Sequence, residues 1–315
     1  MGLGQRTISK ARPTSSTPKP SSKERLIDGD VPTYKGDVSI SMDDTEVEPL
    51  VVTVYGPPGI GKSTFALTFP RVAICDTEMK GEKVWRKFFR GDIEAFDSNL
   101  QPHKWDKEHG DPTLEETRLA HAEDWGDVAA FWSRYARSDK VDTLVFDSET
   151  DLREMAELWI LKITGKSLYG GDGATAKVPY ANVFGMLKFV IKNTKRLGKH
   201  VVYTGKEKDS YNKAGNIDGI KYDGYNKQAF FTGYFIRLRL GVETSTGELL
   251  YPKHVFAEVE KCENMRPGYY PPYLIDCTYR GLVNELVHGK EWNGSRDDFI
   301  REIITPRMKE MGVER

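Results

Sequence analysis

Residues 56–63 combine glycines, a lysine and a hydroxyl in the order that phosphate binding requires. They read Gly-Pro-Pro-Gly-Ile-Gly-Lys-Ser and match the pattern G-x-x-x-x-G-K-[ST] at every position. Glycines let the backbone curl so that its N–H groups point at phosphate oxygens. Lys62 supplies a positive charge to the β- and γ-phosphates, and Ser63 offers a hydroxyl to Mg²⁺. The sequence therefore predicts ATP and Mg²⁺ as cofactors. The residues expected to contact the nucleotide are Gly56, Pro57, Pro58, Gly59, Ile60, Gly61, Lys62, Ser63 and Thr64.

Acidic residues at the ends of two apolar runs could supply the rest of a hydrolytic site. Asp147 closes the run Thr143–Phe146, where a carboxylate can hold Mg²⁺ through water together with Ser63. Two glutamates, Glu78 and Glu149, are candidates for orienting the attacking water. Motor ATPases of the AAA+ type commonly place a glutamate directly after the Mg²⁺-side aspartate, whereas Ser148 stands there in this chain. This departure favours Glu78, and a solvated turn glutamate remains the alternative for that residue.

The elements that must position these residues alternate between strand and helix. Strands are expected at Leu50–Tyr55, Val72–Cys75, Thr143–Phe146 and His200–Tyr203, and helices at Lys62–Phe69, Trp125–Tyr135, Leu152–Ile163 and Pro179–Leu197. A late hairpin is expected from Tyr234–Val242 and Leu249–Lys261, followed by helical sequence from Tyr279. The fold class predicted is therefore α/β, with a mostly parallel central sheet, helices on both faces and a late β-hairpin. Ligands of such sheets bind at the carboxyl ends of the strands.

Composition divides the chain into three parts. Residues 1–48 are basic and then acidic, poor in apolar residues, and predicted to be a disordered tail; the alternative is that Val38–Met42 adds a strand to a neighbouring subunit. Residues 49–290 form the predicted ATPase core, and 291–315 a helical extension. Lys and Arg total 46 against 47 for Asp and Glu, which excludes a globally basic surface for nucleic acid. Three cysteines and no apolar run near the ~18–20 residues of a membrane span predict a soluble cytoplasmic protein.

The order of these motifs resembles the RecA/RadA superfamily. The phosphate loop is followed by a strand ending Ile-Cys-Asp-Thr-Glu at 74–78 and by Val-Phe-Asp-Ser at 145–148. More narrowly, the chain is similar to the short, core-only RecA-like ATPases that phages encode and that are linked to single-strand annealing recombination. The resemblance covers about Leu50 to Leu286, and it implies the cytoplasm of a host cell if the protein is encoded by a phage.

The resemblance also implies roles for individual residues. It gives Glu78 the activation of water, and it assigns Thr204, at the end of the fourth strand, a loose match to a γ-phosphate sensor. Lys261 and Arg266, at the end of the late hairpin, match cations that reach the nucleotide of a neighbouring subunit. The chain departs from RecA itself, which has a glutamine near the position of Thr204.

Two stretches, 169–177 and 205–229, interrupt the predicted fold on the side expected to face nucleic acid. The longer one interleaves lysines and tyrosines, which is how single strands are commonly bound, but a plain β-hairpin or a disordered lid explains it equally. The candidate nucleic-acid-binding residues are Lys177, Lys206, Lys208, Tyr211, Lys213, Lys221, Tyr222, Tyr225 and Lys227.

Together these features predict a Mg²⁺-dependent ATPase that oligomerises, as a ring or a filament, on single-stranded DNA. It would support recombination, strand annealing or replication, and a single-strand DNA-binding protein is a candidate partner; no membrane is expected. A hexameric helicase or translocase shares the same core and is the alternative enzyme. An ATP-gated DNA-binding scaffold with little hydrolysis is the alternative of another class.

Overall fold

The computed structural model describes residues 47–77, 95–97, 114–164, 180–213, 215–224 and 228–313. Several expectations concern residues outside these ranges, namely Glu78, Lys177, Tyr225, Lys227 and the tail up to residue 46. In the part of the chain that the structure describes, no helix is both long enough and apolar enough to cross a lipid bilayer.

The described residues form one sheet of nine strands with helices along it. The strands are β1 (Val51–Tyr55), β2 (Val72–Asp76), β3 (Ala95–Asp97), β4 (Thr143–Asp147), β5 (His200–Tyr211), β6 (Ile217–Asp223), β7 (Tyr234–Glu243), β8 (Leu249–Cys262) and β9 (Tyr273–Leu274). The helices are α1 (Lys62–Leu67), α2 (Leu114–Tyr135), α3 (Glu149–Thr164), α4 (Tyr180–Arg196), α5 (Gln228–Phe231), α6 (Tyr279–Leu282), α7 (Arg296–Phe299) and α8 (Thr305–Glu310). Turns of π-helix, Val283–Val287 and Ile300–Ile304, continue α6 and α7.

The strand order is β3-β2-β4-β5-β1-β7-β8-β9, with β6 paired to the outer part of β5. The six strands from β3 to β7 run parallel to their neighbours along this order, and β7, β8 and β9 pair antiparallel. The strand that leads into the phosphate loop, β1, therefore lies in the middle of the sheet, and β5 separates it from β4. The predicted α/β class, with its mostly parallel sheet and late hairpin, is confirmed.

The central strands are mostly apolar and buried because both faces of the sheet are covered. All five residues of β1 are buried. Val52 and Val54 pack with Phe65 of α1 and with α6 on one face, whereas Val51 packs with α2, α3 and α4 on the other. A third cluster joins the outer strands to the C-terminal helices, through Tyr251, Phe256, Tyr273, Phe299 and Ile304. The C-terminal helices thus share a core with the strands.

The fourth predicted strand is longer than expected. It does not stop at Tyr203 but continues to Tyr211 and pairs antiparallel with β6, so the β-hairpin alternative for 205–229 is what the structure shows across 206–223. Residues 206–209, Lys-Glu-Lys-Asp, have no apolar face. A strand that extends beyond the core lacks the hydrophobic alternation by which sequence patterns reveal strands, which explains the difference.

Candidate nucleotide site

The phosphate loop follows β1 and is shaped by glycines at left-handed φ values. Gly56, Gly59 and Gly61 have φ of +152°, +77° and +107°. At Gly56 a Cβ atom would lie 2.4 Å from the carbonyl oxygen of Leu238 on the neighbouring strand, so only glycine fits there. Gly61 precedes α1 and accepts the helical hydrogen bond of the Phe65 amide at 2.9 Å. This backbone has the form that the sequence motif predicts.

Lys62, the first residue of α1, folds back over the loop. Its ammonium Nζ donates hydrogen bonds to the carbonyl oxygens of Gly56 at 3.0 Å and of Pro57 at 2.9 Å. These contacts keep the positive charge at the loop, where the motif requires it for β- and γ-phosphates.

Asp147 is hydrogen-bonded to two other predicted site residues, Ser63 and Thr204. The Ser63 hydroxyl donates to Asp147 Oδ2 across 2.5 Å, and the Thr204 hydroxyl donates to Asp147 Oδ1. Asp147 is only 5% exposed and Thr204 is fully buried. The convergence follows from the strand order, because β1, β5 and β4 are consecutive and parallel, so their carboxyl ends meet at one edge.

A hydroxyl and a carboxylate held face to face suit Mg²⁺, which prefers oxygen ligands and commonly takes one or two from protein and others from phosphates. Ser63 and Asp147 are therefore the residues that would hold the ion. Among the described residues, no group of three or more His, Cys, Asp or Glu side chains is arranged as a metal site.

Thr77, which was not among the expected site residues, ties the end of β2 to the end of β4. Its backbone N–H and its hydroxyl both donate to the carbonyl of Asp147, at 2.6 and 2.9 Å, and its hydroxyl accepts from the amide of Ser148 at 2.8 Å. The Ser148 hydroxyl in turn donates to Asp151 at 2.8 Å. The sequence feature that could have indicated this role is a threonine directly after a buried strand, at the carboxyl edge of the sheet.

Glu149 opens α3 and is 1% exposed. Its carboxylate accepts a hydrogen bond from the Tyr222 hydroxyl on β6. Burial, with the negative charge of Glu149, raises the pKa of Tyr222 well above its usual value, so the phenol keeps its proton. The second candidate glutamate is therefore linked to the hairpin β5–β6.

The hairpin residues expected to bind nucleic acid differ in their surroundings. Lys206 pairs with Asp151 at 2.8 Å and Lys208 with Asp223 at 2.5 Å. The exposed candidates are Tyr211 and Lys213, which lie at the tip, and Lys208 and Lys221, which face each other nearer the root.

Tyr222 was expected to stack under bases, and this expectation is wrong. Its ring centroid lies 5.4 Å from that of Tyr55 and 5.3 Å from that of Phe235, and its hydroxyl is held by Glu149. These contacts occupy the ring inside its own subunit.

The two cations expected to act on a neighbouring subunit also differ. The Lys261 ammonium donates to the carbonyls of Ala229 at 2.6 Å and Thr232 at 2.5 Å, and burial lowers its pKa. Arg266 has a side chain 75% exposed, 3.4 Å from Glu291. Lys261 is thus directed into its own chain, whereas Arg266 extends from the surface.

A family model described as an AAA domain matches residues 48–229, more than half of the chain. The chain belongs to this AAA domain family. The AAA domain match spans the phosphate loop, Asp147 and the hairpin β5–β6, and it ends within α5. With the complete phosphate-loop motif in its expected backbone form, the AAA domain is a P-loop NTPase domain, a class that binds nucleotides and usually uses Mg²⁺.

No protein of curated function matches the chain. Among solved structures, the chain is similar to the KaiC-like protein PH0186 from the hyperthermophilic archaeon Pyrococcus horikoshii OT3, with 14% identity and a TM-score of 0.35, over 70% of this chain and 83% of that one.

Proposed function

We propose that the protein is a Mg²⁺-dependent ATPase that oligomerises on single-stranded DNA and supports recombination, strand annealing or replication. The observation that carries the ATPase part is the meeting of Ser63, Asp147 and Thr204 beside a phosphate loop of the required backbone form. Support for the DNA part comes from the projecting hairpin and from the resemblance to core-only RecA-like ATPases.

Each residue of the site has a proposed role in ATP binding or hydrolysis. Lys62 binds the β- and γ-phosphates, and Ser63 and Asp147 hold the metal ion, which when bound neutralises charge that develops on the phosphates. Thr204 orients the Asp147 carboxylate by its hydrogen bond. Glu78, which lies outside the described residues, is one position beyond Thr77 and is the proposed residue that orients water.

The hairpin favours binding through stacking over binding through charge. Residues 206–223 contain four lysines and four acidic residues, and two of the lysines are paired with acids. Tyr211 is 59% exposed near the tip, with Lys213 and Lys221 also exposed. If Tyr211 stacks on bases and few lysines contact phosphates, the affinity for single strands should depend only weakly on salt concentration.

The proposed function is tested by ATP turnover and DNA binding measured together. Wild-type protein should hydrolyse ATP, and unpaired oligonucleotides should accelerate turnover more than the same sequence as a duplex. Tyr211→Ala should weaken binding to the single strand while leaving turnover without DNA unchanged. Strand-displacement activity would instead identify a translocase, and DNA binding that depends on ATP without turnover would identify a scaffold. Turnover with no response to any DNA would remove the DNA part of the proposal.

A further inference from the structure

Tyr222 lies where the hairpin β5–β6 meets the nucleotide site. Its hydroxyl donates to Glu149, which is two residues after Asp147. Its ring contacts Tyr55, the last residue before the phosphate loop, with ring centroids 5.4 Å apart and planes at 70°. One hairpin side chain therefore touches both segments that carry the predicted metal and phosphate ligands.

The Tyr222 ring packs closely against Gly205 and Gly224. A Cβ atom on Gly205 would lie 2.2 Å from the Tyr222 ring, and one on Gly224 would lie 2.3 Å from that ring and 2.1 Å from Glu149 Oε2. Neither glycine has a φ that demands glycine, since neither is in the left-handed region. Their absence of side chains instead makes room for the ring, so a shift of the hairpin root must move Tyr222 with it.

The same root is bound to the first turns of α3 by further polar contacts. Lys206 pairs with Asp151 at 2.8 Å. The Thr150 hydroxyl donates to the carbonyl of Asp223, and the guanidinium of Arg153 donates to the carbonyl of Gly224 at 3.1 Å. Both strands of the hairpin are therefore tied to the helix that follows Asp147.

We propose that Tyr222 is a positioning residue that couples the hairpin to the nucleotide site. Through its contacts with Glu149 and Tyr55, nucleotide binding at the phosphate loop alters the hairpin. By reciprocity, a hairpin ligand whose affinity changes when nucleotide binds changes the nucleotide affinity by the same factor. The proposal rests on the proposed function only in requiring that nucleotide binds at the phosphate loop. It does not depend on the hairpin ligand being DNA.

The coupling is measured by amide hydrogen exchange across residues 206–223, with and without a non-hydrolysable ATP analogue and Mg²⁺. We expect the analogue to change exchange rates in the wild-type hairpin by about threefold or more, a coupling near 0.7 kcal/mol. Tyr222→Phe removes the hydrogen bond to Glu149 and keeps the ring, and Glu149→Gln removes the charge and keeps the shape. Both variants should show a clearly smaller response than the wild type. Tyr211→Phe, on the same hairpin but exposed, is the matched control and should respond as the wild type does.

Binding of a fluorescent ATP analogue is followed in parallel to separate the two proposals. If wild-type protein fails to bind the analogue, the nucleotide function itself fails. If the analogue binds but the wild-type hairpin does not respond, or responds equally in Tyr222→Phe and Glu149→Gln, the coupling role of Tyr222 is overturned. Unfolding curves of the variants show that they are folded, so loss of the response in folded variants that bind the analogue supports the proposal.

Discussion

The hydroxyl of Ser63 donates to the carboxylate of Asp147 across 2.5 Å, although 84 residues separate the two in the chain. The bond joins the start of α1 to the end of β4 and brings the two residues proposed to hold Mg²⁺ into direct contact. A site arranged in this way needs little rearrangement to accept an ion, which favours binding.

Removing the Ser63 hydroxyl should weaken binding of ATP in the presence of Mg²⁺. We expect Ser63→Ala to lower this affinity about tenfold or more, or ~1.4 kcal/mol, because a metal ligand is lost. Ser63→Thr keeps the hydroxyl and is the matched control. Titration with a fluorescent ATP analogue, with Mg²⁺ and with a chelator, measures both. An equal loss in the presence of the chelator would show that Ser63 acts by some route other than the metal.

Lys62→Ala should abolish most ATP turnover and leave the fold intact. The ammonium contacts carbonyls of its own loop at the protein surface, so its loss should change the free energy of unfolding little. Loss of a charge on the reacting phosphates should lower turnover by about 10²-fold or more. Steady-state ATPase assays and urea unfolding test the two halves, and turnover near the wild-type rate would refute the phosphate-loop assignment.

Two glycines of the loop should respond differently to substitution by alanine. Gly56→Ala places a Cβ 2.4 Å from the Leu238 carbonyl, so strands β1 and β7 must separate, whereas nothing lies within 4 Å of a Cβ on Gly59. Gly59→Ala should therefore cost only the backbone strain of a positive φ, about 1–2 kcal/mol. Gly56→Ala should cost clearly more. Chemical denaturation of both variants gives the comparison, and equal losses would contradict the close approach at Gly56.

His200 should make stability depend on pH. Its Nδ1 accepts a hydrogen bond from the amide of Leu50 at 3.0 Å, and burial lowers its pKa to about 4 from the usual 6.5. As the pH falls, His200 is therefore protonated near pH 6.5 in the unfolded chain but only near pH 4 in the folded chain. The free energy of unfolding should fall as the pH drops through this window, by about 3 kcal/mol at most.

His200→Asn keeps an acceptor for the Leu50 amide and removes the titration. Urea unfolding at several pH values between 4 and 7 should show a shallower decline for this variant than for the wild type. Parallel declines would mean that His200 does not carry this part of the pH dependence.

Arg266, and not Lys261, should act on a neighbouring subunit. If the proposed oligomer shares its sites, mixing Lys62→Ala with Arg266→Ala subunits should recover part of the turnover that each lacks, because some interfaces regain both groups. Lys261→Ala should instead lower stability, since it removes a donor from the carbonyls of Ala229 and Thr232. Recovery with Lys261→Ala and none with Arg266→Ala would reverse the assignment.

The loop residues, Asp147 and the strands β1, β2 and β4 could be predicted because each depends on local sequence. A buried parallel strand is an apolar run, and the phosphate loop is one continuous motif. Contacts made by the hairpin could not be predicted in this way. Tyr222 and Glu149 are 73 residues apart, and nothing in the spacing of an exposed-looking tyrosine shows that two glycines make room for its ring. In sequence, Lys261 resembles any basic residue near a turn, and its hydrogen bonds to the carbonyls of Ala229 and Thr232 depend on tertiary structure.

The position of β1 also determines when the site can form during synthesis. Val51 and Val52 of β1 pair with Val201 and Val202 on one side, and Val52 with Tyr234 on the other, so the strand has no neighbour close to it in the chain. Contacts this distant in sequence are slow to form. During synthesis, Leu238 must emerge from the ribosome before Gly56 can pack against it. Chains that end before β7 should therefore fail to bind nucleotide, although they contain the whole phosphate-loop motif.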